Sequence, residues 1–222
     1  MHIDPVDHVR LSVAVRDAEA DTAGEIVTII ADRSDAYHDV GLHYAVLAML
    51  LVPVLFAAFP AWPDAMLALV TSGWGERDMP AHYVLVFFLM ALVFLVVRYT
   101  LAIMPLRLAL TPKATRRRRV RRRAIDLFKV GTEKRTTGRT GILIYLSMGE
   151  HMAEIVADEA IYTRVPDTEW GDAMGAMIEH VAAGRVTDGM IAAVERVGVI
   201  LGAHLPRAAD DKNELCDRVI EL

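Results

Sequence analysis

Four carboxylates stand just past stretches that read as β-strands or in the turn that follows: Asp32 after the first strand, Asp158 and Glu159 after the third, and Asp167 in a Val-Pro-Asp turn. Where such side chains converge, they hold a hard divalent cation such as calcium through several oxygens, or they activate a nucleophile beside a metal-bound water. The ends of strands are the usual place for sites in open α/β sheets. Asp32, Asp158 and Asp167 are therefore the candidate metal ligands, and no catalytic residue is assigned. Asp32 and Asp35 read more simply as solvated turn residues, and Asp167 as a helix cap. No catalytic triad, glycine-rich phosphate loop or metal motif accompanies them. Gly138 and Gly141 are too few and too widely spaced for a phosphate loop. Thr136, Thr137 and Thr140 put hydroxyls near Arg135 and Arg139, which reads as a polar loop with donors suited to phosphate. The eight histidines are scattered without ligand spacing, and the lone Cys216 rules out an intramolecular disulfide and a cysteine-based zinc motif.

A second chemical feature is the run "TPKATRRRRVRRR", in which Arg116, Arg117, Arg118, Arg119, Arg121, Arg122 and Arg123 crowd seven cations into eight positions. Removing those seven charges from the formal net of −5 leaves −12, so the basic charge is local and the rest of the chain is acidic. A nucleic-acid-binding domain spreads Lys and Arg over a face and is basic as a whole, which makes nucleic acid an unfavoured partner.

The elements that must position these groups are of two kinds. Of the 222 residues, 54% are hydrophobic, more than a soluble domain needs, so part of the surface is expected to face lipid. From Leu42 to Pro60, and from His82 to about Met104, the chain is apolar over the roughly 20 residues that cross a hydrocarbon core. Neither stretch shows the polar stripe of a globular helix. Pro53 and Pro60 are expected to kink or end the first. Trp62, Trp74, Tyr83 and Tyr99 lie at the ends, where aromatic rings prefer the interface, and Arg98 is placed to snorkel. The first 41 residues hold nine acidic and three basic side chains and no early apolar core, which argues against a cleavable secretion signal.

Two spans form a hairpin with both flanks on one side. The connecting segment has a single basic residue, Arg77, against Asp64, Glu76 and Asp78, whereas Arg107, Lys113 and the arginine block follow the second span. The positive-inside rule then puts both termini in the cytoplasm, and the block can also hold anionic headgroups.

Residues 1–41 are too few for a core of their own and are expected to join residues 111–222 in one discontinuous domain around the hairpin, residues 42–110. Val6, Val9 and Val13 recur at helical intervals, with Ala14 and Ala18 less regularly, and "GEIVTIIAD" is a β-branched run of the kind that forms a buried strand. Thr111 and Pro112 read as a helix start, and Val120, Ala124, Leu127 and Phe128 form one apolar stripe among the arginines. Ile142–Ser147 and Ala153–Ala157 read as strands joined in a hairpin through Gly149. Two amphipathic helices follow. Asp167 or Thr168 would cap the first, with Ala173, Met177, Ile178 and Val181 inward; Thr187 would cap the second, with Ile191, Val194 and Leu201 inward. "DDKNELCDRVIEL" reads as one more short helix. The order implies an α/β fold: a small mixed sheet with helices on both faces.

In this order "AEADTAGEIVTIIADRSDAY", "RTGILIYLSMGEHMAEIVAD" and "VPDTEWGDAMGAMIEHVAAGRVTDGMIAAVERVGVIL" resemble the TPM domain, and most of all a bacterial membrane branch with a transmembrane hairpin inserted after the first strand. The resemblance implies acid phosphatase activity and calcium binding, as in a plant thylakoid member, or an assembly role in membranes. Many members carry "DNG" before the second main strand. Here Arg139, Thr140 and Gly141 stand in its place, which weakens the implied calcium site. The expectation is a non-catalytic accessory or protein-interaction module anchored in the bacterial inner membrane, with the bilayer and a membrane or cytoplasmic protein as partners. The alternative is a metal-dependent phosphatase.

Overall fold

The computed structural model describes residues 3–70, 79–131, 140–207 and 219–222. Trp74, Glu76, Arg77, Asp78, Arg135, Thr136, Thr137, Gly138, Arg139 and Cys216 lie outside them. Two compact units emerge: one joins Met1–Asp35 to Lys113–Leu222, and the other is Ala36–Pro112.

The first unit is built on a mixed sheet. Helix α1 (Pro5–Glu19) starts at Asp4, whose carboxylate accepts the Val6 N–H at 2.9 Å, with Pro5 at the first position. Strand β1 (Glu25–Ala31) is buried along its whole length. Its first turn is fixed by the buried Glu19, which accepts the Ile26 N–H at 2.6 Å.

In the second unit, α2 (His38–Ala58) contains Pro53 and stops two residues before Pro60. It is followed by α3 (Ala61–Val70), α4 (Met79–Thr100) and the short α5 (Met104–Leu110). The sequence placed the apolar stretches at residues 42–60 and 82–104; the helices are His38–Ala58 and Met79–Thr100, each beginning and ending a few residues earlier. Both α2 and α4 are long and apolar enough to cross a membrane. No residue of α4 is buried, and Trp62, Tyr83 and Tyr99 are exposed.

In the first unit again, α6 (Lys113–Gly131) buries Val120, Ala124 and Phe128. Strand β2 (Gly141–Ser147) pairs in parallel with β1, and β3 (Met152–Ala157) turns back antiparallel to β2. The short α7 (Glu159–Tyr162), α8 (Asp167–Ala182), α9 (Val186–His204) and β4 (Ile220–Glu221) complete the unit. The sheet order is β3-β2-β1-β4, with β4 parallel to β1. One face packs on α6 through Val27, Ile29, Leu143 and Tyr145, and the other on α1, α8 and α9 through Ile26, Ile30, Ile142 and Ile144. Parallel strands need a crossover, and the second unit is inserted, in sequence, in the one between β1 and β2.

Several details differ from the sequence reading. Val6, Val9 and Val13 are exposed; α1 buries Leu11 and Val15 instead, which share a helix face with Ala18, and Ala18 meets Gly198 of α9. Ile178 points out of α8, and Trp170 takes the inner position one turn before Ala173. Pro166 occupies the cap position of α8 and Arg185 that of α9. Thr187 instead donates to Asp7 of α1 at 3.1 Å. Thr111 turns back on the Arg107 carbonyl at 2.8 Å, and α6 begins at Lys113. Of the stretch read as a last short helix, residues 210–218 lie outside the described residues, and Ile220–Glu221 is a strand, held because the Leu222 N–H donates to Ile30 and its carbonyl accepts from Asp32. In the β2–β3 turn His151 takes the left-handed conformation.

Candidate functional site

At the carboxyl edge of β1 and β2, the two following loops are laced together. The Met148 N–H donates to Ala31 at 3.0 Å and the Gly149 N–H to Asp32 at 2.8 Å. The approach is close enough that a Cβ on Gly149 would stand 2.8 Å from the Asp32 carbonyl oxygen, so glycine is required by space. Beneath lies Glu150, 2% exposed. Its carboxylate accepts the Ser34 N–H at 3.0 Å and the Ser147 hydroxyl. The Ser34 hydroxyl meets the Tyr145 hydroxyl at 3.0 Å. Burial pushes the Tyr145 phenol above its ordinary range, and its hydrogen bonds to Ser34 and Ser147 oppose that shift. The network is a polar lock, with buried groups paired to one another. Sequence reasoning missed Glu150 because one of its partners, Ser34, is 116 residues away in the chain.

Asp32 is exposed in the loop above this lock. Asp158 is buried at the opposite edge, since β3 runs antiparallel to β2 and its C-terminal end therefore lies beside the start of β2. The Asp158 carboxylate accepts the Gly141 N–H at 3.1 Å. The strands between the two edges span about 20 Å, so Asp32 and Asp158 are not brought together. Asp167 opens α8; its side chain lies outside the described residues. Glu159 opens α7 and is exposed. Among the described residues, no group of three or more His, Cys, Asp or Glu side chains is placed to hold a metal ion.

The arginines sit on the solvent side of α6. Arg117, Arg118, Arg121, Arg122 and Arg123 are exposed, whereas Arg116 and Arg119 are half-buried. Arg119 pairs with Asp35 at 3.1 Å. Arg117 and Arg121 both reach Glu154 of β3 at 4.0 Å, the outer limit of an ion pair. Burial raises the Glu154 carboxyl above its ordinary value, and Arg121 and Arg117 pull it back only in part.

Among the described residues, a four-stranded mixed sheet with one helix on one face and three on the other, its β1–β2 crossover interrupted in sequence by an apolar helical unit, defines the class. Residues 106–200 match the family model for the TPM domain, and the chain carries a TPM domain. Helix α1 and strand β1, which complete the sheet, precede the matched stretch. Among solved structures the fold is similar to the NMR structure of the BA42 protein from the psychrophilic bacterium Bizionia argentinensis. The TM-score is 0.58 at 17% identity, over 100% of this chain and 97% of that one. No curated protein matches the chain.

Proposed function

We propose that this chain is a membrane-anchored TPM-domain protein that binds other proteins at the cytoplasmic face of a bacterial inner membrane rather than turning over a substrate. The observation that carries the reading is α4: 22 residues of apolar helix with no buried side chain, whose Phe87 and Phe88 are 67% and 66% exposed. So much exposed aromatic and aliphatic surface is costly in water and at ease in lipid. The separation of Asp32 from Asp158 supports binding over catalysis. The exposed arginines after the apolar unit support a cytoplasmic position for both termini.

The membrane reading is tested by alkaline washing of membranes and by reporter fusions. The chain is expected to stay in the pellet until detergent is added. An alkaline phosphatase fused after Val70 is expected to be active, and one fused after Leu222 inactive. Release by alkali would overturn the anchor.

A metal-dependent phosphatase is the second reading. It is favoured by one contact: the buried Asp158 carboxylate binds Gly141, the glycine of the Arg-Thr-Gly stretch. Hydrolysis of p-nitrophenyl phosphate that needs a divalent metal and is lost in a folded Asp158→Asn variant would establish it in place of the first.

A further inference from the structure

Strand β3 is an edge of the sheet, and helices wall the groove along it on both sides. Its pairing to β2 is antiparallel, so alternate residues turn their backbone groups inward and outward. Asp158 donates inward to Gly141, which places the inward set at even positions. Ile155 belongs to the outward set: its carbonyl accepts from the Tyr162 hydroxyl at 3.2 Å. Ala153 shares that orientation. Side chains divide the same way. Met152 and Val156 pack towards α6, whereas Ala153 and Ile155 pack towards the core shared with α8. Arg117 and Arg121 of α6 form one wall; Trp170, Met174 and Ile178 of α8 form the other. Together they enclose a groove of about 740 Å³.

We infer that this groove takes an extended acidic segment of a partner protein as a strand added to β3; this rests on the reading of the chain as a protein-interaction module. Two features point to that occupant. The outer backbone of β3 offers the ladder that an added strand uses: the N–H and carbonyl of Ala153 and the N–H of Ile155, with the Ile155 carbonyl shared with the Tyr162 hydroxyl. The side chains of such a strand alternate between faces, so every second one meets Arg117 and Arg121, whose side chains are 77% and 62% exposed, and the others meet Met174 and Ile178. The required sequence is an alternation of acidic and apolar residues.

The test uses the full chain in phosphatidylcholine nanodiscs and a short fluorescein-labelled peptide of alternating Glu and Val, read by anisotropy. Binding is expected. It is expected to weaken by about tenfold or more in Arg117→Glu/Arg121→Glu, in Ile178→Glu, and when alternate peptide nitrogens are methylated. Val9→Glu, on the exposed face of α1, is expected to leave it unchanged. Because the substituted side chains are exposed, each variant is expected to keep the wild-type circular dichroism.

No binding, equal binding of a peptide with the same residues in two blocks, or indifference to the three changes would overturn the proposal. So would a dimer of the chain that the peptide disperses, which would give the groove to a second copy. Photoreactive residues at Ile178 and at Val9 in native membranes separate this proposal from the broader reading. Adducts at Ile178 that the alternating peptide displaces support the groove. Adducts at Val9 alone overturn the groove and leave an interaction module; silence at both overturns both.

Discussion

Asp158 and Gly141 are joined twice: the carboxylate accepts the glycine N–H at 3.1 Å, and the Asp158 N–H donates to the glycine carbonyl at 3.0 Å. The pair closes the ladder between β2 and β3 at the edge where the chain enters the sheet. Asp158→Ala leaves a buried N–H without its acceptor and is expected to lower stability by about 1–3 kcal/mol. Asp158→Asn keeps an oxygen in place and is expected to lose less. Denaturation of the detergent-solubilised chain measures both, and an alanine variant as stable as wild type would show that the carboxylate has no structural role.

Thr28 sits at the middle of β1, 1% exposed, and its hydroxyl has no hydrogen-bond partner among the described residues. Its neighbours on that face, Ile26 and Ile30, are core residues. Thr28→Val removes an unpaired buried polar group at nearly constant shape and is expected to raise stability by about 1 kcal/mol. A loss of stability on urea denaturation would mean that the hydroxyl is paired after all.

Gly198 of α9 lets α1 approach. A Cβ there would stand 2.7 Å from the Ala18 Cβ and 3.1 Å from its carbonyl oxygen, so backbone, not a flexible side chain, would have to move. Gly198→Val is expected to cost about 2 kcal/mol or more by overpacking. Gly175, on α8, has nothing within 4 Å of its Cβ position, so Gly175→Ala, measured beside it by thermal melting, is expected to be tolerated.

These contacts also explain what could be read from the chain and what could not. β1, β2 and β3 were legible because β-branched, apolar runs bounded by Gly, Ser and Asp form buried strands in almost any context. The stripe of Val120, Ala124 and Phe128 was legible because arginines fill the rest of its circumference. On α1 two stripes competed, Val6-Val9-Val13 and Leu11-Val15, and only the partner helix decides which is buried. The two-residue β4 carries no periodic signal; its place depends on backbone bonds to Ile30 and Asp32. The site was less legible still. Asp158 was found, but setting it with Asp32 required treating both strand ends as one edge, and the antiparallel turn of β3 puts them on opposite edges. The groove at β3 depends on which strand lies outermost, a property of the whole sheet.

Arg107 in the second unit is 4% exposed, and its guanidinium reaches the carbonyls of Ala36, Leu101 and Ala102 and Nδ1 of His38. The five donors of a planar fork suit acceptors spread in this way; an ammonium has three donors at one point. Arg107→Lys is therefore expected to destabilise the unit despite keeping the charge, with a lower melting temperature and faster proteolysis near Ala36. Equal melting of the two would show that charge alone matters there.

Glu154 gives a prediction whose sign depends on pH. The folded protein holds its carboxyl above the ordinary value of 4.5, with burial the largest cause, so protonation favours the folded state. The stability linked to this group is fully present below pH 4.5 and is lost as pH rises through the folded value. Above the folded value both folded and unfolded chains carry the charge, and the cost of burying it is paid in full. Glu154→Gln removes that charge, so the variant is expected to be more stable than wild type at pH 7 and to match it below pH 4.5. Arg117 and Arg121 oppose this shift, and if their pairing outweighed burial the variant would be the less stable one at pH 7. The same change releases both guanidinium groups from their carboxylate in the groove. The alternating Glu and Val peptide is therefore expected to bind Glu154→Gln more tightly than wild type, with a steeper loss of affinity as salt is added. Weaker binding would show that the arginines depend on Glu154 to hold them in place.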